Sequence, residues 1–152
     1  MITVMKKILL LIFALALVCN TLSAQTTLPE AVAAGNKVFF QLVNDEEHPI
    51  PDDEIEDVTR ELVTAGSWEL VDSVEEADFI LKVVSKKKMV FNSPRTWLTP
   101  SVLDKEGNEL WKGDTYKADA TLFNGLKSTN TCIRTVIEKG FVKNLFKKAG
   151  RN

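Results

Sequence analysis

Between residues 37 and 148 the chain moves between short apolar runs and longer stretches whose apolar residues recur every three or four positions. Lys37–Val43 (KVFFQLV) is the first short run. Its valines and phenylalanines favour extended backbone, and its near-continuous apolar character predicts a strand buried on both faces. Ser67–Asp72 (SWELVD) predicts a second, short strand. Phe79–Val84 (FILKVV) predicts a long one that runs on through Ser85–Phe91 (SKKKMVF). An apolar half joined to a lysine-rich half implies a strand that leaves the core and continues at an exposed edge, where lysines discourage edge-to-edge pairing. Asn92–Arg95 is expected as a turn. Thr96–Leu103 and Glu109–Ala120 complete the strands, joined by a hairpin loop at Asp104–Asn108 in which Gly107 supplies positive φ.

Two stretches carry the helical period. From about Asp52 to Ala65, residues Ile55, Val58, Leu62 and Val63 make one face, and Gly66 is expected to close the helix in the left-handed conformation. From about Thr129 to Lys148 the stripe is Ile133, Val136, Ile137, Phe141 and Leu145, with Ser128 or Asn130 as cap and Gly140 weakening the middle. The order β-α-β-β-β-β-α predicts an α+β fold: a two-layer sandwich over residues 37–150, with a mixed or antiparallel sheet and two main helices on one face. Gln25–Asn36, small and polar, reads as a lead-in segment.

Residues 1–24 follow neither period. Lys6 and Lys7 precede an unbroken apolar run, Ile8–Val18, and Leu22-Ser23-Ala24 offers small residues for cleavage. The run is too short to span a bilayer and fits a secretory signal peptide. The other reading is lipidation at Cys19, but Ala16-Leu17-Val18-Cys19 places Val18 where a lipobox wants a small residue. Export to the periplasm or beyond is the expectation, with an outer-membrane lipoprotein as the alternative. Loss of the signal leaves Cys132 as the only cysteine, so no internal disulfide forms and the core must carry stability.

The formal net charge of the whole chain is −2, and the signal would take Lys6 and Lys7 with it. An exported, acidic chain argues against a nucleic-acid partner. The charge is unevenly spread. Asn44–Val58 (NDEEHPIPDDEIEDV) holds eight carboxylates, no Lys or Arg, and His48, the only histidine. Lys139–Arg151 carries five basic residues and no acid. Two readings fit the acidic stretch. His48, Asp52 and Glu56 suit a shallow imidazole–carboxylate metal site or the acid/base centre of a hydrolase. The plainer reading is a helix start, where the helix dipole favours acids and Pro51 fits the first turn.

Elsewhere the chemistry is sparse. No GxSxG, P-loop, HExxH, CxxC or glycine-rich nucleotide fingerprint occurs. Trp68 is expected in the core. Trp97 and Trp111 fall on neighbouring strands of one hairpin, and their parity is compatible with one shared face, an aromatic strip for a partner or small ligand.

The succession of helix, Gly66 and SWELVDSVEEADFILKV, then SVLDKEGNELWKGDTY and a final helix, resembles the bacterial envelope domains of the curli-channel, TolB amino-terminal and ABC-transport auxiliary lipoprotein group. That resemblance implies a periplasmic, non-catalytic accessory or assembly module with no cofactor and an envelope protein as partner. The alternatives are a small-ligand binder using the tryptophan face and a hydrolase using the acidic 44–58 loop.

Overall fold

The computed structural model describes residues 24–152. The expected signal peptide and Cys19 lie outside the described residues. The chain forms α1 (Leu28–Ala31), β1 (Lys37–Asn44), α2 (Asp52–Ala65), β2 (Glu69–Val71), β3 (Phe79–Val90), β4 (Ser93–Leu103), β5 (Glu109–Lys112), β6 (Tyr116–Asp119) and a long C-terminal helix, α3. Its first part, Ser128–Thr135, is an α-helix, and Val136–Phe146 continues it in the wider π winding.

The sheet is mixed, in the order β2-β1-β3-β4-β5, with β6 pairing the outer part of β4. β1 is parallel to β2 and β3, as the α2 crossover requires, and β3, β4, β5 and β6 are antiparallel neighbours. Both main helices cover one face. Val58, Leu62 and Val63 of α2 and Cys132, Ile133, Val136, Phe141 and Leu145 of α3 share a core with Val38, Leu81, Val83, Leu98 and Val102 of the strands. The α+β two-layer sandwich is therefore the architecture.

Several local expectations change. β1 is covered on one face only: Val38 is buried, whereas Gln41 and Val43 on the opposite face are exposed. β3 is a central strand, not an edge. β1 stops at Asn44, opposite Ser85, so only the lysine-rich half beyond Ser85 loses that neighbour. The turn into β4 is Phe91-Asn92, both at positive φ (48° and 64°), with Val90 paired to Ser93. This is the two-residue hairpin geometry that matches sheet twist. The last strand is broken at residues 113–115 into β5 and β6.

Gly66 does not adopt the left-handed conformation (φ −82°); Ser67 does (φ 56°). What Gly66 supplies is space: a Cβ there would lie 2.1 Å from the Trp68 ring. Trp68 in turn donates from Nε1 to the Val32 carbonyl at 3.0 Å and packs edge-on against Phe79 and Phe141. The segment expected as a lead-in is thus docked, with Ala31 and Val32 buried. Arg151 fastens the same corner. Its guanidinium donates to the carbonyls of Val32 (2.8 Å) and Gly66 (2.9 Å) and lies 4.3 Å from the Phe146 ring centroid. The basic C-terminal end therefore grips backbone carbonyls, not the acidic stretch.

Candidate functional site on the open sheet face

Register sorts the sheet residues, because directly paired residues point to the same side. The side away from the helices carries the rows Gln41–Lys82–Ser101–Lys112, Val43–Val84–Thr99, Lys86–Trp97–Lys117 and Lys88–Arg95–Asp119. Among the described residues no element covers these rows. At their centre lies an open groove of about 640 Å³, lined by Val43, Val84, Val90 and Trp97, with Lys86, Lys88, Ser85, Thr99, Thr115, Asn44 and Asp45 around them.

Each wall has a local cause. The hydroxyls of Thr99 and Thr115 hydrogen-bond at 2.8 Å and tie the break in the last strand to β4. Trp97 is flanked by lysines on both neighbouring strands, and the Arg95 guanidinium lies 5.8 Å from its ring centroid. Arg95 also forks onto Asp119, with Nε at 2.5 Å and Nη2 at 3.0 Å. That hydrogen bonding holds the Asp119 carboxyl below the usual carboxylate range. The acid that lines the groove, Asp45, is tied to its own loop: Oδ1 accepts from the backbone N–H of Glu47 (3.1 Å) and His48 (2.7 Å). Among the described residues Lys86 and Lys88 form no ion pair. The groove is therefore an apolar floor with two ammonium groups and the Asp45 carboxylate at its rim.

Trp111 does not belong to this surface. It pairs with Val102, on the helix-covered side, and is 4% exposed. Its Nε1 donates to Asn144 Oδ1 at 3.1 Å, and its ring meets Phe141. The shared-face expectation fails because the bulge at Val102/Leu103 moves Trp111 from Ser101 to Val102, onto the opposite face of β4 from Trp97.

His48, Asp52 and Glu56 are not brought together either, and among the described residues no three His, Cys, Asp or Glu side chains are placed to hold a metal. The acidic stretch is organised by main-chain bonds. Asn44 Oδ1 accepts from Ile50 N and Ser85 Oγ, both at 2.9 Å, and the His48 carbonyl accepts from Lys87 N at 2.9 Å. Asp52 and Glu56 point to solvent on the outer side of α2. The carboxylate that turns inward is Glu54. It pairs with Lys87 Nζ and accepts from the Thr129 hydroxyl, which joins Thr96 and Ser128 in one buried chain of hydroxyls. Glu54 is thus a strut between α2, β3 and α3. Cys132 is fully buried, and desolvation pushes its thiol up to about 12, far from the low value that a nucleophilic cysteine needs.

No protein-family model matches the chain. No curated protein matches it. Solved structures do. PelC from Paraburkholderia phytofirmans, a dodecamer, superposes with a TM-score of 0.52 at 17% identity over 80% of this chain and 92% of that one. An uncharacterized lipoprotein B from Nitrosomonas europaea gives 0.49 at 10% identity, covering 80% and 94%. A minor lipoprotein from Acinetobacter baumannii gives 0.40 at 16%, covering 78% and 93%. The PelC likeness shows a shared fold. Among the described residues no helix is long and apolar enough to cross a membrane.

Proposed function

We propose that this protein is an exported, non-catalytic accessory module of the bacterial envelope that engages its partner through the open sheet face. One observation carries the reading: a six-stranded sheet with one face packed by helices and the other left bare, bearing Trp97 and unpaired lysines around an apolar groove. A bare face of this kind is what interaction sites look like. The signal-like residues 1–24 and the resemblance to envelope domains support the location. The PelC structure of this fold is a dodecamer, so a second copy of the chain is one partner to look for.

A second reading has its own support. The groove is of the size that holds a small ligand, and its apolar floor with lysines above suits a molecule with an apolar body and an anionic group.

Affinity capture from the native envelope, comparing wild type with Lys86→Glu/Lys88→Glu, tests both. A protein retained by wild type and lost by the variant supports the first reading. A small molecule carried through native mass spectrometry by wild type alone supports the second. Identical capture by both proteins contradicts both.

A further inference from the structure

Five large apolar side chains stand out at one end of the molecule: Met89 and Phe91 on the β3–β4 hairpin, and Leu122, Phe123 and Leu126 in the loop before α3. Phe91 is 99% exposed and Phe123 103%. The two loops are fastened side by side. Ser93 Oγ donates to the Ala120 carbonyl at 2.6 Å, and Ala120 N donates to the Pro94 carbonyl at 2.8 Å. Asn124 braces its own loop by donating from Nδ2 to the Asp119 carbonyl at 2.7 Å.

Two features set this end apart from incidental exposure. Phe91 (φ 48°) and Leu126 (φ 61°) both occupy the left-handed backbone region, which large side chains rarely adopt and glycine or asparagine would fill without strain. The chain thus places bulky apolar groups at turn positions where the backbone disfavours them. The two segments that carry them also hold charge of one sign. Lys86–Thr96 and Ala120–Cys132 contain Lys86, Lys87, Lys88, Arg95 and Lys127 and no acid. Of the acids beside those segments, Asp119 is held by Arg95 and Glu54 by Lys87. Asp53 and Asp57 share a hollow with Leu126 and Lys127 on the helix side, behind the tips.

We propose that this end docks on an anionic phospholipid surface, with Phe91, Phe123 and their neighbours entering the headgroup–acyl boundary and Lys88 and Lys127 meeting the headgroups. The tips are convex. A bilayer accepts protruding aromatic and aliphatic groups with a basic collar without needing a matching cavity, and exposed Phe and Leu beside lysines is the composition that lies at such interfaces. The anchor shares Lys88 with the groove rim, but its apolar tips, Phe91 and Phe123, do not line the groove, so variants at those two positions test it apart from the partner-binding reading.

Vesicle sedimentation tests it, with wild type and Phe91→Asn/Phe123→Asn carrying the same N-terminus. Wild type sediments with vesicles of equal phosphatidylglycerol and phosphatidylcholine, and the double variant binds them on the order of tenfold less or weaker. Both substitutions lie at fully exposed sites, so the variant melts no lower than wild type. As a second probe, Phe91→Trp shifts its emission to the blue on vesicles and is quenched by lipids brominated on the acyl chain. Equal sedimentation of both proteins, a wild type that stays in the supernatant, or loss of self-association in place of vesicle binding each overturns the proposal.

Discussion

Trp97 and Trp111 belong to the same two-stranded region, yet they live in opposite worlds. Trp111 is locked beneath α3, its ring against Phe141 and its indole N–H on Asn144. Trp97 lies on the bare face between Lys86 and Lys117. One face of the sheet is consumed by folding. The other is not packed by any element among the described residues. A side chain of one chemical type thus changes its meaning with a single step of strand register.

The largest expected difference is between the two tryptophans themselves. Trp111→Ala empties a filled core site and should cost about 3–5 kcal/mol in chemical denaturation. Trp97→Ala should cost less than about 1 kcal/mol, since it removes one exposed-face packing and cation–π contact. Similar losses for both would erase the distinction between the faces.

Gly66→Ala probes the covered side by overpacking. Its Cβ meets the anchored Trp68 ring at 2.1 Å, so a loss of roughly 1–3 kcal/mol or more is expected, read as a lower melting temperature. An unchanged melting temperature would show that Trp68 moves freely, contrary to its bond to Val32.

Glu54→Gln is a smaller probe, at the strut between the helices and β3. It leaves Lys87 half-buried without its partner and should cost about 1–2 kcal/mol. The corresponding open-face change, Lys88→Gln, should leave stability within about 0.5 kcal/mol of wild type.

Cys132 gives a pH signature of the covered side. Its thiol ionises near 8.5 in the unfolded chain but is held at about 12 in the fold by burial. Its contribution to stability is therefore full below about pH 8.5 and is lost as the pH rises from there towards 12. Cys132→Ala should flatten the start of that alkaline decline, before the tyrosine titrates. The native thiol should also react with a thiol reagent only as fast as the protein unfolds. Rapid reaction of folded protein would contradict its burial.

Much of the fold could be read from periodicity alone. The α2 stripe of Val58, Leu62 and Val63 and the α3 stripe of Ile133, Val136, Phe141 and Leu145 are the buried faces observed. Patterning fails where one position serves two contexts. Phe39 reads as core, yet its register places it on the open face beside Ile80. Gly66 has a sequence position suited to a left-handed cap, while its actual requirement is the approach of Trp68. The parity of Trp97 and Trp111 is lost at a bulge that no residue type announces. Phe91 at a positive-φ turn runs against turn propensity, so the hairpin tip is displaced in a sequence reading. The acidic stretch is the helix start that its plainer reading expects, with Asp52, Asp53 and Glu54 in the first turn after Pro51; the metal option fails because adjacency in sequence is not convergence in space. The lysine run, in contrast, did carry a signal. It marks where β3 outlasts β1, which is where the groove opens.

The central claim is that the bare face meets the partner and the helix face does not. In-cell photo-crosslinking tests it most directly, with a photoreactive residue placed at Val84 in the groove or at Arg134 on the outer side of α3, both exposed. The account predicts a discrete crosslinked species from position 84, abolished by Lys86→Glu/Lys88→Glu, and none from position 134. A species formed from position 134, with position 84 silent, would contradict it.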